Sequence, residues 1–247
     1  MEKREVLFTN KDLKKLIIPL IIEQLLTVTV GLADSIMISS VGEAAVSGVS
    51  LVDSIMILLI NMFSALATGG AVVAGQYLGQ KKHVMACKTA DQLILFISAL
   101  AVVIMAGIYA MRGFILHGVF GAIEPAVMHS AEVYLLIVTA SIPFIALYNG
   151  CAALFRTMGN SKTAMQMSLF MNAINIIGNA ALIYGVGMGV EGAAIPTLVS
   201  RVIAAAVILV LLKNRNQAVH ISRNFHFKFK GFLVSRILKI GVPNGVE

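Results

Sequence analysis

The sequence predicts an all-α polytopic membrane protein with a six-helix transmembrane bundle, and three observations support this fold class. The composition is 58% hydrophobic and only 13% charged, whereas about a quarter of the residues in soluble domains carry a charge. The mean hydropathy of the chain is +0.90. Six separate apolar runs are each long enough to cross a hydrocarbon layer roughly 30 Å thick. Together these properties exclude an ordinary soluble domain.

The apolar runs follow one another as consecutive membrane-spanning helices do. The first run begins after a basic foot at Lys14 and Lys15 and is too long for the apolar core of a signal peptide, so we interpret it as an uncleaved first span. Gly75 and Gly79, in and just after the second run, have the GxxxG spacing that is typical of close helix contact. We predict spans at residues 16–39, 52–78, 92–111, 131–155, 163–185 and 190–212.

Basic residues are distributed unequally between the connectors. The N-terminal segment holds five Lys or Arg, the second connector three, the fourth two and the tail seven, whereas the alternate connectors hold Arg112 alone. Cytoplasmic loops carry the excess of Lys and Arg, so the N-terminus and the tail are predicted to be cytoplasmic. We expect a multi-pass protein of the cell (plasma) membrane. In a bacterium this would be the inner membrane. The net charge of +7 does not predict a nucleic-acid partner, because the basic residues lie between apolar runs instead of clustering on a polar face.

The histidines and cysteines give no sign of catalysis. An intramembrane enzyme needs a catalytic set at membrane depth, such as a Ser/His pair or metal-binding histidines. All five histidines lie in connectors or near span ends, and Cys87 and Cys151 have no metal-ligand spacing. We therefore predict that the protein is not an enzyme and has no cofactor.

The end of the chain resembles its beginning. Residues 237–247, ILKIGVPNGVE, align without gaps on residues 13–23, LKKLIIPLIIE, and share the Lys, Pro and Glu at the same offsets. This match indicates the start of a second copy of the unit. We predict an N-terminal lobe at residues 1–212, a cytoplasmic interlobe linker at 213–236 and the start of a second-lobe repeat at 237–247. The second lobe is then missing from this chain, which is a fragment, a truncated product or a half that pairs with itself.

Asp34 is a carboxylate inside the first span, where an acid costs roughly 2.5–3.5 kcal/mol even on the lenient insertion scale. At about 1.5 Å per residue, Asp34, Asn179 and Thr197 fall in the outer half of the bundle, within about two helical turns of each other. Asn175 shares a helix face with Asn179 through their four-residue spacing. Carboxylate, amide and hydroxyl oxygens can replace the hydration shell of Na⁺, and the carboxylate can bind a proton instead. We predict a cation-coupling site at Asp34, Asn175, Asn179 and Thr197; the alternative is that the amides and hydroxyl only link helices.

Other polar residues also fall inside or near the spans. Pro19 frees a backbone carbonyl and predicts a kink in the first helix. Asp53 and Glu43 lie near the predicted outer interface, where we expect them to be solvated, and Arg201 is placed to snorkel towards the cytoplasmic surface. The candidates for a substrate cavity are Gln24, Asn61, Tyr134, Asn149 and Asn172.

Several stretches resemble the multidrug and toxic compound extrusion (MATE) transporters. They are LADSIMISSVGEAAVSGVS, GGAVVAGQYLGQKK, ALFRTMGNSKTAM and NIIGNAALIYGVGMGVEGAAIPTLVSR. The resemblance covers essentially the whole chain, which looks like the N-terminal lobe of the family's twelve-span, two-lobe fold. It implies a secondary active antiporter that exports organic, often cationic drugs or toxic compounds in exchange for Na⁺ or H⁺. Carried over by motif, the family's coupling aspartate falls on Asp34, its proline on Pro19, its polar pair on Asn175 and Asn179, its threonine on Thr197, and two cavity residues on Tyr134 and Asn149.

One departure from the family and several alternatives remain. Some members carry Asp at the position of Asn179, and an amide cannot take up a proton, which favours Na⁺ over a two-carboxylate proton relay. The alternatives are a lipid-linked oligosaccharide flippase of the same broader fold, a passive channel, and a non-functional half-transporter fragment. A flippase would need a cationic cavity, and Arg201 is the basic residue within the spans that could line it. The expected partners are small organic molecules and the lipid bilayer.

Overall fold

The computed structural model describes residues 10–121, 123–221 and 230–245 of the chain. Within those ranges there are eight α-helices and no β-strand, which confirms the all-α class. Short π-helical segments follow the third and sixth helices, at Phe114–Val119 and Ala181–Gly185. The helices are α1 (Asn10–Ser39), α2 (Glu43–Gly79), α3 (His83–Ala110), α4 (Pro125–Thr139), α5 (Ile142–Thr157), α6 (Ser161–Ala180), α7 (Glu191–Leu212) and α8 (Gly231–Asn244).

Five helical segments of the described chain are long and apolar enough to cross a membrane. They are Leu16–Ser39, Glu43–Gly79, His83–Ala110, Ser161–Gly185 and Glu191–Leu212. Helices α4 and α5 meet the same criteria together, although they are bent by 49° relative to each other. If this pair is one span, the described residues contain six, which agrees with the predicted polytopic bundle.

The fourth predicted span, residues 131–155, contains a break. Helix α4 ends at Thr139, and α5 begins at Ile142 with Pro143 in its first turn. Proline lacks a backbone N–H donor and disfavours the helical conformation of the residue before it, so a helix ends readily at this position. The apolar sequence continues through the break, and hydropathy therefore predicted a single span.

Helix α1 packs mainly along α6 and leaves much of its surface uncovered. Large apolar side chains such as Ile17 and Leu25 are exposed, as expected for a helix that faces lipid or another apolar surface. The hydroxyl of Thr27 donates to the carbonyl of Glu23 at 3.0 Å, which satisfies the hydroxyl without water. Pro19 lies inside α1 and does not end the helix; its role as a kink stays a prediction.

Helix α2 is the central element of the bundle and packs against α3, α4, α5 and α8. Two glycines allow its neighbours to approach closely. A Cβ atom on Gly48 would lie 2.8 Å from the backbone nitrogen of Ala131 in α4, and one on Gly69 would lie 2.5 Å from the Cα of Gly241 in α8. Between these crossings Phe63 is fully buried. Small residues at such points are the usual means of packing helices in membranes.

The segment after α7 differs from the predicted boundaries. Helix α8 begins at Gly231, within the segment 213–236 that was predicted as linker. Residues 237–244 of the predicted repeat continue this helix, whereas residues 246–247, like linker residues 222–229, lie outside the described ranges. The interlobe linker and the second-lobe repeat therefore remain predictions, with the helix starting earlier than expected.

Candidate cation-coupling site and lobe cavity

A cavity of about 440 Å³ lies between α1, α2, α4, α5, α6 and α7. Polar groups from all six of these helices converge on it. Its polar lining consists of Glu23, Thr27, Asp34, Asp53, Tyr134, Tyr148, Asn149, Ser168, Asn172, Asn175, Thr197, Ser200 and Arg201. In hydrocarbon these groups would lack hydrogen-bond partners, so their convergence indicates a site built for polar contents.

The outer cluster of this cavity joins α1, α6 and α7. The side-chain nitrogen Nδ2 of Asn179 donates to Oδ1 of Asp34 at 2.8 Å. Asn179 and Asn175 stand one turn apart on the same face of α6 and are 1% and 6% exposed. Depth counting placed Asp34, Asn179 and Thr197 near one another, and helix spacing added Asn175. In the fold, Asn179 contacts Asp34 and Asn175 contacts Thr197.

The amide of Asn175 fits between Asp34 and Thr197 in two orientations. In one, Nδ2 lies 3.1 and 3.2 Å from the two carboxylate oxygens of Asp34 and the amide oxygen accepts from Thr197 Oγ1 at 3.0 Å. In the other, Nδ2 donates to Thr197 Oγ1 at 3.0 Å, while that hydroxyl donates to the carbonyl of Ala193 at 2.9 Å. The first orientation suits a bare carboxylate, because it offers N–H donors. The second presents an oxygen towards Asp34, which suits a protonated carboxyl or a bound cation.

Asn179 carries a second buried polar atom beside this cluster, although it is not among the residues that line the cavity. Its Oδ1 atom is buried and has no hydrogen-bond partner among the described residues. A buried acceptor without a donor is costly and rare in folded proteins. Carboxylate, amide and hydroxyl oxygens such as those of Asp34, Asn175 and Thr197 are hard ligands of the kind that Na⁺ takes up. No group of three or more His, Cys, Asp or Glu suited to a metal occurs in the described ranges.

A second cluster contains Asp53, which we expected to be solvated near the outer interface. That expectation was wrong, because α2 begins at Glu43 and places Asp53 well inside the helix. Asp53 lines the cavity and accepts a hydrogen bond from the hydroxyl of Tyr134 at 3.1 Å.

Arg201 is also placed differently from its prediction. It does not snorkel out of the bundle: its Nη1 donates to the hydroxyl of Ser141 at 2.7 Å, at the break between α4 and α5. Ser141 is fully buried. The guanidinium also interacts electrostatically with Asp53 and Asp34. The C-terminal end of α4 favours a positive charge, so the break in the span gives this arginine a favourable position.

A third contact was not predicted at all. Nη2 of Arg156, in the last turn of α5, donates to Oε1 of Glu23 in α1 at 2.5 Å. Glu23 lies inside the predicted first span, residues 16–39, whereas Arg156 falls in the connector just after the predicted fourth span, residues 131–155. The available signal was the cost of an unpaired acid at membrane depth, which requires a partner.

The five predicted substrate-cavity residues divide into two groups. Tyr134, Asn149 and Asn172 line the cavity. Gln24 and Asn61 are not among its lining residues, and both side chains are exposed. Gln24 follows Glu23 directly, and one residue turns a helix by about 100°, which carries it away from the cavity face. A contact of Gln24 or Asn61 with substrate stays a prediction.

Comparison with known families identifies the lobe. The family model described as MatE matches residues 19–181, more than half of the chain. The chain belongs to the MatE family. The match includes Pro19, Asp34, Asn175 and Asn179.

The curated relatives are bacterial transport proteins. The "Uncharacterized transporter YisQ" of Bacillus subtilis (strain 168) is 31% identical over 235 residues, covering 93% of this chain and 50% of the relative. The "Probable multidrug resistance protein NorM" of Thermotoga maritima is 24% identical over 258 residues, covering 100% of this chain and 53% of the relative. The chain thus spans about half the length of the curated relatives it matches.

Solved structures of MATE transporters share the fold. A MOP superfamily transporter from Pyrococcus furiosus, whose description reports a reversed polarity of the binding pocket, superposes with a TM-score of 0.87 at 25% identity, covering 96% of this chain and 52% of that one. An inward-facing MATE transporter superposes with a TM-score of 0.81 at 25% identity, covering 94% of this chain and 53% of that one. The described helices therefore form one MATE lobe. Each of these neighbouring chains is about twice as long as this chain.

Proposed function

We propose that this lobe belongs to a secondary active antiporter that exports organic, often cationic drugs or toxic compounds in exchange for Na⁺ or H⁺. Relatives described as multidrug resistance or export proteins support the export of small molecules. The observation that carries the proposal is the contact of Asn179 with Asp34 at 2.8 Å in a polar cavity within the spans. A carboxylate so placed is costly unless a cation or proton compensates it.

The coupling cation is proposed to bind at Asp34, Asn175, Asn179 and Thr197. The unpartnered oxygen of Asn179 and the rotatable amide of Asn175 support Na⁺, because both can turn oxygens towards the ion. Asn179 cannot be protonated, so a proton can bind here only on Asp34. We therefore favour Na⁺ over H⁺.

Exchange follows if the cation and the drug favour different states of the two-lobe protein. A ligand shifts such an equilibrium only by its differential affinity for the two states. Cation binding at Asp34 would draw α1 and α6 together, while an organic cation elsewhere in the cavity would favour the other state. Pro19 lies fifteen residues before Asp34 on α1 and weakens the helix ladder there, which would let the cytoplasmic half of α1 move.

Drug efflux from membrane vesicles tests the coupling role. Asp34→Asn, made in a two-lobe transporter that carries this lobe, is expected to lower Na⁺- or H⁺-driven efflux at least tenfold, because the neutral amide cannot compensate a cation. Glu43→Gln is the matched control: it is the same kind of substitution at an exposed acid in the first turn of α2. Efflux by Asp34→Asn at the parental rate would disprove the coupling role.

The location and completeness of the protein are part of the proposal. We propose a multi-pass protein of the plasma membrane with a cytoplasmic N-terminus. In bacteria this would be the inner membrane.

The alternative of a non-functional half is tested by expressing the chain alone and together with a second MATE lobe. Ion-dependent accumulation against a gradient only with the second lobe would identify the chain as half of a working transporter, and it would exclude a passive channel.

A second candidate function, a lipid-linked oligosaccharide flippase, is favoured by one observation. Arg201 lines the cavity, as a pyrophosphate-binding site would require. However, Asp53 and Asp34 interact with the same guanidinium and offset its charge. Flipping of a fluorescent lipid-linked oligosaccharide in proteoliposomes, abolished by Arg201→Gln, would favour the flippase over the antiporter.

A further inference from the structure

The ion pair between Glu23 and Arg156 stands apart from the proposed coupling cluster. We propose that Glu23 forms a subsite for the organic cation, separate from the coupling cation at Asp34, and that Arg156 competes with the ligand for it. This inference rests on the proposed function, since it concerns the substrate of the same cavity. The ligand would be an amphipathic amine or amidine that carries N–H donors.

Glu23 and Asp34 face the same cavity from two levels of one helix. They are eleven residues apart on α1, which corresponds to about three turns and about 16 Å along the axis. Thr27 and Gly31 lie between them on the same face and also line the cavity. A small coupling ion at Asp34 therefore leaves Glu23 free to contact a different ligand.

The carboxylate of Glu23 has acceptor capacity to spare. Its Oε1 accepts from Arg156, whereas its Oε2 is buried and has no hydrogen-bond partner in the described part of the chain. The Glu23 side chain is 13% exposed. An ionised carboxylate can accept several hydrogen bonds, and a buried one gains most from a charged donor. A ligand ammonium would supply that donor from the cavity side.

The two side chains of the ion pair differ in how far they are exposed. The side chain of Arg156 is 32% exposed, lies in the last turn of α5 and is not among the cavity-lining residues. A long side chain near a helix end can turn its head towards water. Arg156 can thus give way when a cation enters, whereas Glu23 stays in the cavity. This difference favours a cationic ligand over an anionic one, which the buried carboxylate would repel.

The walls of the cavity that Glu23 lines suit an aromatic or apolar cation. Tyr148 and Asn149 of α5 line the cavity together with the apolar side chains of Ile145 and Met171. The ring of Tyr148 is buried and offers a face for a cation–π contact. Nδ2 of Asn149 is a second buried polar atom without a partner in the described ranges, and it could serve an acceptor on the ligand.

Ethidium binding to the purified chain in nanodiscs, followed by fluorescence anisotropy, tests the subsite. Glu23→Gln is expected to weaken binding roughly tenfold to hundredfold, the range for the loss of one charge-assisted hydrogen bond. Arg156→Gln is expected to tighten binding, because the competing guanidinium is gone, and the double variant is expected to bind as weakly as Glu23→Gln. Glu23→Asp keeps the charge and is expected to bind with intermediate affinity, which preserves the test if Arg156→Gln does not fold.

A merely structural ion pair gives a different pattern. Both single variants would then lose thermal stability and ethidium affinity together, and the double variant would recover both. That result would overturn the subsite, as would an unchanged affinity in Glu23→Gln.

The same samples separate this inference from the coupling role. Asp34→Asn is expected to abolish the Na⁺-dependent rise in melting temperature and to keep most of the ethidium affinity. If Asp34→Asn abolishes ethidium binding while Glu23→Gln leaves it intact, the subsite is overturned and the coupling proposal stands. If Glu23→Gln weakens ethidium but Asp34→Asn leaves the Na⁺ response unchanged, the coupling role fails and the subsite remains.

Discussion

Asn179 determines, at the scale of single residues, how many carboxylates the outer cluster contains. It contacts Asp34 at 2.8 Å and is 1% exposed, so a carboxylate in its place would be forced against another. Two carboxylates at such a distance do not both ionise readily, and one of them takes up a proton. The choice of amide or acid at this position therefore bears directly on the coupling ion.

We expect Asn179→Asp to add proton coupling. In a two-lobe transporter reconstituted into liposomes, this variant should show several-fold more efflux driven by a pH gradient in Na⁺-free buffer than the parent does, because the second acid can bind a proton. Asn216→Asp, the same substitution at an exposed loop residue, is the control. If pH-driven efflux stays at the parental level while the variant folds, a single carboxylate is not what limits proton use.

Individual residues were predicted with unequal success, for physical reasons. Helical rise converts sequence number into depth, and so the proximity of Asp34, Asn179 and Thr197 could be foreseen from spacing alone. Asp53 was misplaced because apolar runs do not mark the true start of α2, which begins nine residues before the predicted span. The cost of an acid at membrane depth indicates that Glu23 needs a partner, but not that the partner is Arg156, since that depends on the relative tilt of two helices that are remote in sequence.

At the scale of secondary-structure elements, close helix crossings depend on a few glycines. Gly75 and Gly79 were predicted to permit close contact. A Cβ on Gly75 would lie 2.7 Å from Cγ2 of Thr157 in α5, whereas Gly79 has open space around its Cβ direction. The tightest crossing of α2 with α8 is instead at Gly69, where a Cβ would meet the backbone of Gly241 at 2.5 Å. A motif in sequence predicts that some helix packs closely, and only the tertiary arrangement determines which glycine is used.

The crossing at Gly69 can be tested by adding one methyl group. Gly69→Ala is expected to lower the free energy of unfolding by about 1–3 kcal/mol, because backbone atoms cannot move aside as a flexible side chain can. Gly79→Ala, on the same helix in open space, is expected to change it by no more than about 0.5 kcal/mol. Thermal unfolding of the chain in nanodiscs measures both. Equal effects of the two substitutions would show that α8 does not pack on α2 at this point.

The break between α4 and α5 shows how an element boundary serves the site. In a continuous helix through residues 131–155, the hydroxyl of Ser141 would point in a different direction. With the helix interrupted before Pro143, Ser141 holds Arg201 at 2.7 Å inside the bundle. Hydropathy does not reveal this break, because the residues on both sides are apolar. The proline does indicate a possible end of a helix at this position.

The cavity of the whole lobe has an unbalanced set of charges. Glu23, Asp34 and Asp53 contribute carboxylates to its lining, Arg201 contributes a guanidinium group, and the guanidinium of Arg156 lies just outside the lining. Arg156 is paired with Glu23, and Arg201 lies in the field of both aspartates. With all five groups ionised, one negative charge is left uncompensated. This balance favours the uptake of a single monovalent cation by the lobe.

We therefore expect Na⁺ to bind to the purified chain with a Hill coefficient of about one. Asp53→Asn should weaken Na⁺ binding although Asp53 is not a proposed ligand, because it removes the surplus negative charge while the amide oxygen can still accept from Tyr134. The loss of a unit charge that faces the same cavity is expected to lower the Na⁺ affinity severalfold. Equilibrium binding of radioactive Na⁺ measures both quantities, with Glu43→Gln as the exposed control. A Hill coefficient near two, or an unchanged affinity in Asp53→Asn, would show that the lobe does not act as one electrostatic unit.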